Sequence, residues 1–287
     1  MTTLYREFET QAQIDAQYNT TIHMTDPAAP GKHYVARSAL ARQSLRCILD
    51  VPYGPTLAET LDIFPAQAPN APVFVFLHGG YWRALSSKEF SCVALGLQPL
   101  GITTVVVNYA LCPTVSLDEI TRQARAAVAW TQRNIGVYGG DPARIALGGH
   151  SAGAHLTAMC LQTRWVEDYG LPADPLAAAV LVSGIYDIAP LRYSYLQPMI
   201  QLDDGIIRRN SPMFGVRPCK TPIWVNWGSQ ESPEFARQSS SFMDAWQGVG
   251  NAGELSALPG ADHFLAIHGF EDPGSSLSQW LASRLAL

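Results

Sequence analysis

The chain has 287 residues, of which 47% are hydrophobic and 15% are charged, and its formal net charge is −5. It has no Lys- or Arg-rich run, so nucleic acid and acidic membrane surfaces are not expected as partners. No apolar run approaches the ~20 residues that span a bilayer, and the first residues lack the basic and apolar segments of a secretory signal, so a soluble, cytoplasmic protein is expected.

Apolar runs alternate with helical stretches along most of the chain. Residues 1–40 predict a helix and an irregular arm, and residues 46–52 and 60–64 predict a hairpin. Further strands are predicted at 72–77, 102–107, 145–147, 176–182, 223–227 and 254–258, and helices at 86–97, 116–135, 152–162, 233–246 and 276–284. Strands that alternate with helices in this way predict an α/β fold with a mostly parallel sheet covered on both faces.

The domain organisation follows from the same pattern. We expect a single domain over residues 1–287, because nothing in the composition separates two halves. Residues 187–215 interrupt the alternation with several prolines and little periodicity, and they predict a small cap insertion. Ser116 and Glu119 have the spacing of a capping box and predict the start of a helix.

The five cysteines are spread along the chain, and none forms a C-x-x-C pair or a zinc-ligand spacing with histidine. We therefore expect free thiols, no structural metal and no cofactor.

A candidate nucleophile lies between the predicted strand 145–147 and the predicted helix 152–162. Gly149, His150, Ser151, Ala152 and Gly153 form the motif G-x-S-x-G. In the nucleophile elbow of α/β hydrolases, a serine occupies a tight turn from strand to helix, and the two glycines remove side chains that would collide there. Ser151 is therefore the predicted nucleophile.

A candidate oxyanion hole follows the strand that ends at Leu77. His78, Gly79 and Gly80 precede Tyr81 and Trp82, at the place where this fold provides a donor to the oxyanion. We predict backbone N–H donors at Gly80, Tyr81 and Ala152. Gly79 allows the loop to approach the site closely, and His78 is expected to orient the loop through a hydrogen bond.

The candidate base must come late in the chain, since the order in this fold is serine, acid, histidine. His263 lies in the turn-forming sequence that follows the last predicted strand, and it is the predicted base. His268 also comes late but is expected at the surface or behind the site. His150 and His155 are expected to be structural histidines.

The candidate acid should follow the strand 223–227, where Glu231 provides a carboxylate. Its role would be to hold the tautomer of the imidazole and stabilise the imidazolium. Four other carboxylates remain candidates for the acid: Glu234 at the start of the next helix, and Asp203, Asp204 and Asp262.

Several segments together resemble the kynurenine formamidase (arylformamidase) branch of the α/β hydrolases. The matching segments run in order through Leu49–Gly54, His78–Trp82, Gly149–Leu156, Ser183–Asp187, Asn210–Pro212, Ser232–Phe235 and Asp262–Phe264. The resemblance implies that Ser151, Glu231 and His263 are the nucleophile, acid and base. The chain differs from the eukaryotic members at Glu231, where they carry aspartate. The resemblance is weaker across residues 187–210.

The resemblance implies hydrolysis of an N-formyl aryl amide, such as N-formylkynurenine, through a formyl-enzyme intermediate. An aromatic leaving group would need an aromatic cleft, and Tyr81, Trp82, Tyr186 and Trp227 are candidates because each follows a predicted strand end. A carboxylesterase for small esters is the alternative, and a non-catalytic binding protein of the same fold is a remote one. The expected partner is a small-molecule substrate, and a homodimer is possible.

Overall fold

A computed structural model describes residues 3–22 and 24–285, and it contains an eight-stranded sheet. The strands are β1 (Ile48–Pro52), β2 (Thr60–Phe64), β3 (Ala71–Leu77), β4 (Thr103–Val107), β5 (Gly140–His150), β6 (Ala178–Val182), β7 (Ile223–Gly228) and β8 (Gly253–Leu258). They lie in the order β1-β2-β4-β3-β5-β6-β7-β8. The pairings of β1 with β2 and of β2 with β4 are antiparallel, and the remaining pairings are parallel.

Helices cover both faces of this sheet. They are α1 (Gln11–Tyr18), α2 (Ala29–Ser44), α3 (Ala94–Leu97), α4 (Leu117–Asn134), α5 (Ala152–Leu161), α6 (Trp165–Tyr169), α7 (Gln197–Ile200), α8 (Asp204–Arg209), α9 (Pro233–Gly248) and α10 (Ser276–Arg284). Short 3₁₀ segments occur at Ser87–Glu89, Ser91–Val93, Gln98–Leu100, Ile135–Tyr138, Ala189–Tyr193, Pro212–Phe214 and Leu265–Glu271. No described helix combines the length and apolar character that crossing a bilayer requires.

The central strands explain why this architecture is stable. Every residue of β3 and of β4 is buried, as expected for parallel strands that are covered on both faces. One core contains side chains of α4, α5 and α9, and the second contains side chains of α2, α3 and α10. The predicted α/β fold with a mostly parallel sheet is confirmed.

The register of the sheet brings the candidate site together. Leu77 at the end of β3 pairs with Gly149 near the end of β5, and His150 pairs with Val182 at the end of β6. Val182 in turn pairs with Asn226 on β7. The loops that follow these parallel strands therefore leave the sheet at one edge, where ligands bind in open α/β sheets.

Three local predictions were wrong in detail. The N-terminal residues form two helices, α1 and α2, rather than one helix and an arm. The predicted helix 86–97 is divided into short 3₁₀ and α-helical turns. The helix predicted to begin at Ser116 does so, since Ser116 is the N-cap of α4, but the capping-box hydrogen bonds do not form, and the Glu119 carboxylate binds Arg122 instead.

Residues 187–215, predicted as a cap insertion, lie between β6 and β7 and contain α7, α8 and two of the 3₁₀ segments. These elements are short, which explains why the sequence shows little helical periodicity there.

Candidate active site

The turn between β5 and α5 holds Ser151 in a backbone conformation that is rare for a residue with a side chain. β5 ends at His150, α5 begins at Ala152, and Ser151 between them has φ 58° and ψ −116°. Its N–H donates to the Val182 carbonyl oxygen at 2.8 Å. Such conformations cost on the order of 1–3 kcal/mol and persist where the surrounding structure enforces them.

Close backbone packing requires both glycines of the G-x-S-x-G motif. A Cβ atom on Gly153 would lie 1.8 Å from the Leu77 carbonyl oxygen, and one on Gly149 would lie 2.3 Å from the carbonyl carbon of Gly153. These separations are too short for nonbonded atoms, so α5 can begin against the end of β3 only with glycine at these positions.

The loop after β3 packs directly against the turn that holds Ser151. A Cβ atom on Gly79 would lie 3.3 Å from the Cβ atom of Ser151. Gly80 has φ 110°, and Tyr81 and Trp82 also have positive φ, 50° and 56°. Among the hydrogen bonds of residues 3–22 and 24–285, the N–H groups of Gly80 and Tyr81 donate to no protein atom, so they are available to a ligand.

His78 holds this loop through a hydrogen bond from its ring. Its Nδ1 lies 2.7 Å from the carbonyl oxygen of Gly79, to which it donates. The ring is fully buried and stacks on Tyr109 at a centroid distance of 4.0 Å. Burial lowers the pKa of His78 from 6.5 to about 4, so its ring is neutral near pH 7. It therefore holds the loop without adding a charge.

Glu231 and His263 form a hydrogen-bonded pair at the same edge of the sheet. The Nδ1 atom of His263 donates to Oε1 of Glu231. The second oxygen, Oε2, accepts from the N–H of Gly228 at 2.6 Å and from the Ser183 hydroxyl at 2.7 Å. The Glu231 side chain is 1% exposed and that of His263 is 7% exposed. Both oxygens of the carboxylate therefore have partners, and its orientation relative to the imidazole is fixed.

The other carboxylates considered from the sequence all have partners of their own. Glu234 accepts from the hydroxyl of Tyr18 and pairs with Arg237. Asp262 accepts from the N–H groups at the start of the segment Leu265–Glu271. Asp203 caps α8, and Asp204 pairs with Arg192. The structure thus brings Glu231, and none of these four, to the ring of His263.

His150 connects the turn at Ser151 to the loop that carries His263. Its Nε2 donates to the backbone carbonyl oxygen of His263 at 2.8 Å, and the two rings lie 4.6 Å apart. Since His150 directly precedes Ser151, this contact links the turn that holds the candidate nucleophile to the loop that holds the candidate base. Burial, and then the nearness of His263, hold the pKa of His150 well below its ordinary value. The ring is therefore neutral.

The four aromatic residues predicted for the substrate cleft are mostly packing residues in this structure. Trp82 and Tyr186 are fully buried; Trp82 meets His155 edge-on, and Tyr186 stacks on Phe242. Tyr81 is 7% exposed and donates its hydroxyl to the carbonyl oxygen of Tyr18. Trp227 is partly buried and packs against the same core. Packing in the core or in a loop was the alternative to a substrate-binding role for each of these residues, and the structure shows core packing for all four.

A cavity of about 280 Å³ lies beside Glu231 and His263. Part of its lining comes from the end of α1 and the residues after it, and part from Phe235, whose ring lies 4.8 Å from that of His263. The lining residues are Ala16, Gln17, Asn19, Thr20, Ile22, Met24, Gln230, Glu231, Ser232, Phe235, Asp262 and His263. The four predicted aromatic residues are not among them.

Two functional candidates escaped the sequence prediction. Ser183 lies immediately after β6 with φ 54° and bonds Glu231; its place at a strand end, in a segment matching a known family, was the available signal. His150 was assigned to structural packing, and its contact with the loop of His263 spans 113 positions. No local sequence pattern predicts a contact between residues so far apart in the chain.

The parallel sheet, the strained serine after β5 and the histidine–carboxylate pair at the strand ends together define an α/β hydrolase. A family model described as "alpha/beta hydrolase fold" matches residues 74–214. The crystal structure of a candidate thioesterase from Silicibacter sp. tm1040 superposes with a TM-score of 0.80 at 27% identity, covering 94% of this chain and 97% of that one. The protein is a hydrolase of this fold.

Relatives in sequence narrow the family further. A kynurenine formamidase from Danio rerio is 32% identical over 248 residues, which cover 84% of this chain and 83% of the relative. The esterase LipQ from Mycobacterium tuberculosis is 30% identical over 83% of this chain and 60% of its own length. The chain belongs to the α/β-hydrolase family, in the branch that includes the kynurenine formamidases, as its motifs predicted.

Proposed function

We propose that this protein is a serine hydrolase that cleaves N-formyl aryl amides, with N-formylkynurenine as the first candidate substrate. The hydrogen bond between Glu231 and His263, next to the strained turn at Ser151, carries the proposal. The kynurenine formamidase relatives support the substrate class.

In the proposed mechanism, Ser151 attacks the formyl carbon while Nε2 of His263 takes the hydroxyl proton. Glu231 holds the proton on Nδ1, which leaves Nε2 free to act as the base and stabilises the imidazolium that forms. A bond forms between Oγ and the formyl carbon, and the carbonyl electrons move to oxygen. The N–H groups of Gly80, Tyr81 and Ala152 bind this oxyanion, and one such donor typically contributes about 2.7–4 kcal/mol.

The intermediate then collapses in two steps. The imidazolium of His263 protonates the amide nitrogen and the C–N bond breaks. The arylamine departs, and a formyl ester remains on Ser151. Water, deprotonated by His263, attacks this ester; formate departs, and the serine recovers its proton. We infer that the arylamine leaves toward the cavity beside His263, where Phe235 can contact an aromatic ring.

Cleavage of small carboxylic esters is the second candidate, and the relationship to the esterase LipQ favours it. Both reactions use the same nucleophile, base and oxyanion donors, so the site chemistry does not separate them.

The test compares substrates on the purified protein. Formate release from N-formylkynurenine and from N-formylanthranilate is measured beside hydrolysis of short-chain aryl esters, with Ser151→Ala as the matched control. We expect cleavage of at least one formamide, abolished by the substitution. Turnover of the esters alone would reject the formamidase proposal and leave the esterase. Formamide cleavage that survives Ser151→Ala would reject Ser151 as the nucleophile.

A further inference from the structure

A cluster of metal-binding side chains lies outside the candidate active site. It consists of His33 on α2, and of His268 and Glu271 in the 3₁₀ segment Leu265–Glu271. One ligand atom from each residue lies within 4.8 Å of the others. We propose that these three residues form a binding site for a divalent transition-metal ion, of which Zn²⁺ is the representative.

The ligand chemistry favours a borderline ion over a hard one. Two imidazoles and one carboxylate are the donors that Zn²⁺ takes in many protein sites, whereas Mg²⁺ and Ca²⁺ prefer oxygen ligands alone. The Nε2 atom of His268 is buried and, among the described residues, has no hydrogen-bond partner. A buried nitrogen without a partner is costly, and a metal ion would provide one.

The carboxylate has one oxygen directed toward the proposed ion. Oε1 of Glu271 lies 2.8 Å from Nε2 of His33, and Oε2 accepts from Nε of Arg37 at 2.5 Å. An ion between His33 and Glu271 would replace the contact at Oε1, while Arg37 keeps Oε2. Hydrogen bonds of this kind to a ligating carboxylate commonly fix its orientation. Arg37 also places a positive charge nearby, which weakens the binding of any cation.

The two imidazole rings must turn slightly to share an ion. In the structure they are stacked, with centroids 4.0 Å apart and planes at 15°, so their nitrogen lone pairs lie in two nearly parallel planes and do not meet at a common point. The side chain of His33 is 34% exposed, which gives its ring room to rotate toward a common point with His268. The proposed site therefore forms by a small side-chain movement, with the backbone unchanged.

The position of the site links α2 to the chain just after His263. The segment that carries His268 and Glu271 begins at Leu265, and α2 already contacts its start, since the Tyr34 hydroxyl donates to the Phe264 carbonyl oxygen at 3.1 Å. His33 and Glu271 are 238 positions apart in sequence. An ion joining them would stabilise the fold, because it binds the native arrangement and not the unfolded chain.

The test is titration of the full chain with ZnCl₂ after treatment with a chelator and its removal. We expect one zinc ion per chain by isothermal titration calorimetry, and a rise in Tm of about 3–5 °C at a hundredfold excess over Kd. Mg²⁺ at the same concentration should leave the Tm unchanged. If no zinc binds at concentrations up to 1 mM, the proposal is overturned. A Kd of 1 mM corresponds to a binding free energy of about 4 kcal/mol.

Three variants make the test specific. His33→Gln and His268→Gln should each weaken zinc binding at least tenfold. Arg37→Gln keeps all three ligands and removes the nearby positive charge, while the glutamine Nε2, at the chain position of the arginine Nε, can still donate to Oε2 of Glu271. Its affinity for zinc should therefore equal or exceed that of the wild type. Metal-free Tm values of the variants establish that they are folded. Zinc binding that is unchanged in both histidine variants, or that is lost in Arg37→Gln, would overturn the assignment.

Discussion

The imidazole of His150 donates a hydrogen bond to the main-chain carbonyl of His263, at a distance of 2.8 Å. The same ring packs beside Gly79 in the loop after β3, so closely that a Cβ atom added to Gly79 would lie 3.1 Å from its Nδ1. His150 thus contacts the loop of the proposed base and the loop of the proposed oxyanion donors, and it directly precedes the proposed nucleophile, Ser151. We expect it to act as a positioning residue for the reaction.

Replacing His150 should therefore impair turnover more than substrate binding. In His150→Leu the bond to the His263 carbonyl is lost, and kcat should fall about 10- to 100-fold with little change in KM, because small misplacements of reacting groups have effects of this size. His150→Gln can still donate an amide N–H to that carbonyl, and it should restore most of kcat. Steady-state kinetics on the preferred substrate of the wild type gives both parameters.

His155 provides a matched control for His150. It is also fully buried, and its Nε2 donates to a main-chain carbonyl, that of Asn210, at 2.6 Å. His155→Leu should lower the free energy of unfolding by an amount similar to that in His150→Leu while kcat is retained. An equal loss of kcat in both variants would mean that His150 acts only through general stability.

The carboxylate of Glu231 should be required for the tautomer of His263. Glu231→Gln preserves size but presents an amide to Nδ1, and kcat should fall about 10⁴-fold, as for the equivalent change in other triads. Glu231→Asp shortens the side chain by one methylene, which pulls the carboxylate away from Ser183 and Gly228, and a smaller loss of about 10- to 100-fold is expected.

Glu234 offers the comparison for Glu231, because it lies three residues further on and is also buried. Its partners are Tyr18 and Arg237 rather than His263. Glu234→Gln should reduce thermal stability but leave kcat within about threefold of the wild type. The reverse ranking of the two glutamine variants would reassign the acid to Glu234.

Gly153 should tolerate no side chain at all. A methyl group there would meet the Leu77 carbonyl oxygen at 1.8 Å, so Gly153→Ala must displace α5 from the end of β3. Overpacking of this kind typically costs 1–3 kcal/mol or more, and hydrolysis should fall at least ~100-fold because Ser151 moves with the helix. Urea unfolding and kinetics measure the two effects.

Gly31 is the matched control for Gly153. It lies in the first turn of α2, and a Cβ atom there has no neighbour within 4 Å. Gly31→Ala should stabilise the protein by about 0.5 kcal/mol through helix propensity, with unchanged activity. If the two alanine variants behave alike, the close packing at Gly153 does not determine the geometry of the turn.

The sequence predicted those parts of the molecule that depend on local patterns. Continuous apolar runs located β3 and β4, since parallel strands buried on both faces show no alternation. The G-x-S-x-G spacing located the strand-to-helix turn at Ser151. Conversely, the spacing of Ser116 and Glu119 wrongly suggested a capping box, because Arg122, which also pairs with the distant Glu59, competes for the Glu119 carboxylate.

The predicted helix 86–97 failed for a similar reason. A capping box does form at Ser86 and Glu89, but it begins a 3₁₀ turn. Further on, the backbone at Gly96 packs against the Phe270 carbonyl oxygen, 2.6 Å from where a Cβ atom would lie. Contacts between such distant segments leave no periodic signal. The bond from Ser183 to Glu231, which spans 48 positions, is of the same kind.

Buried neutral histidines should make the protein sensitive to acid. Burial lowers the pKa of His78 and of His155 from 6.5 to about 4. Between pH 4 and 6.5, the unfolded chain binds a proton at each of these histidines and the native state does not. Stability therefore rises with pH through this window and is lost as pH falls from about 6.5 toward 4. Each histidine contributes on the order of 3 kcal/mol to that change.

The pH dependence can be assigned to a single residue with His155→Gln, which keeps an amide donor for the Asn210 carbonyl. The free energy of unfolding, measured in urea at intervals from pH 7.5 to 4.5, should fall less steeply with acid in this variant, by about one proton per molecule. The variant is less stable than the wild type at pH 7, and the difference should narrow as the pH falls. Parallel curves across the whole range would show that His155 is protonated in the native state as readily as in the unfolded chain.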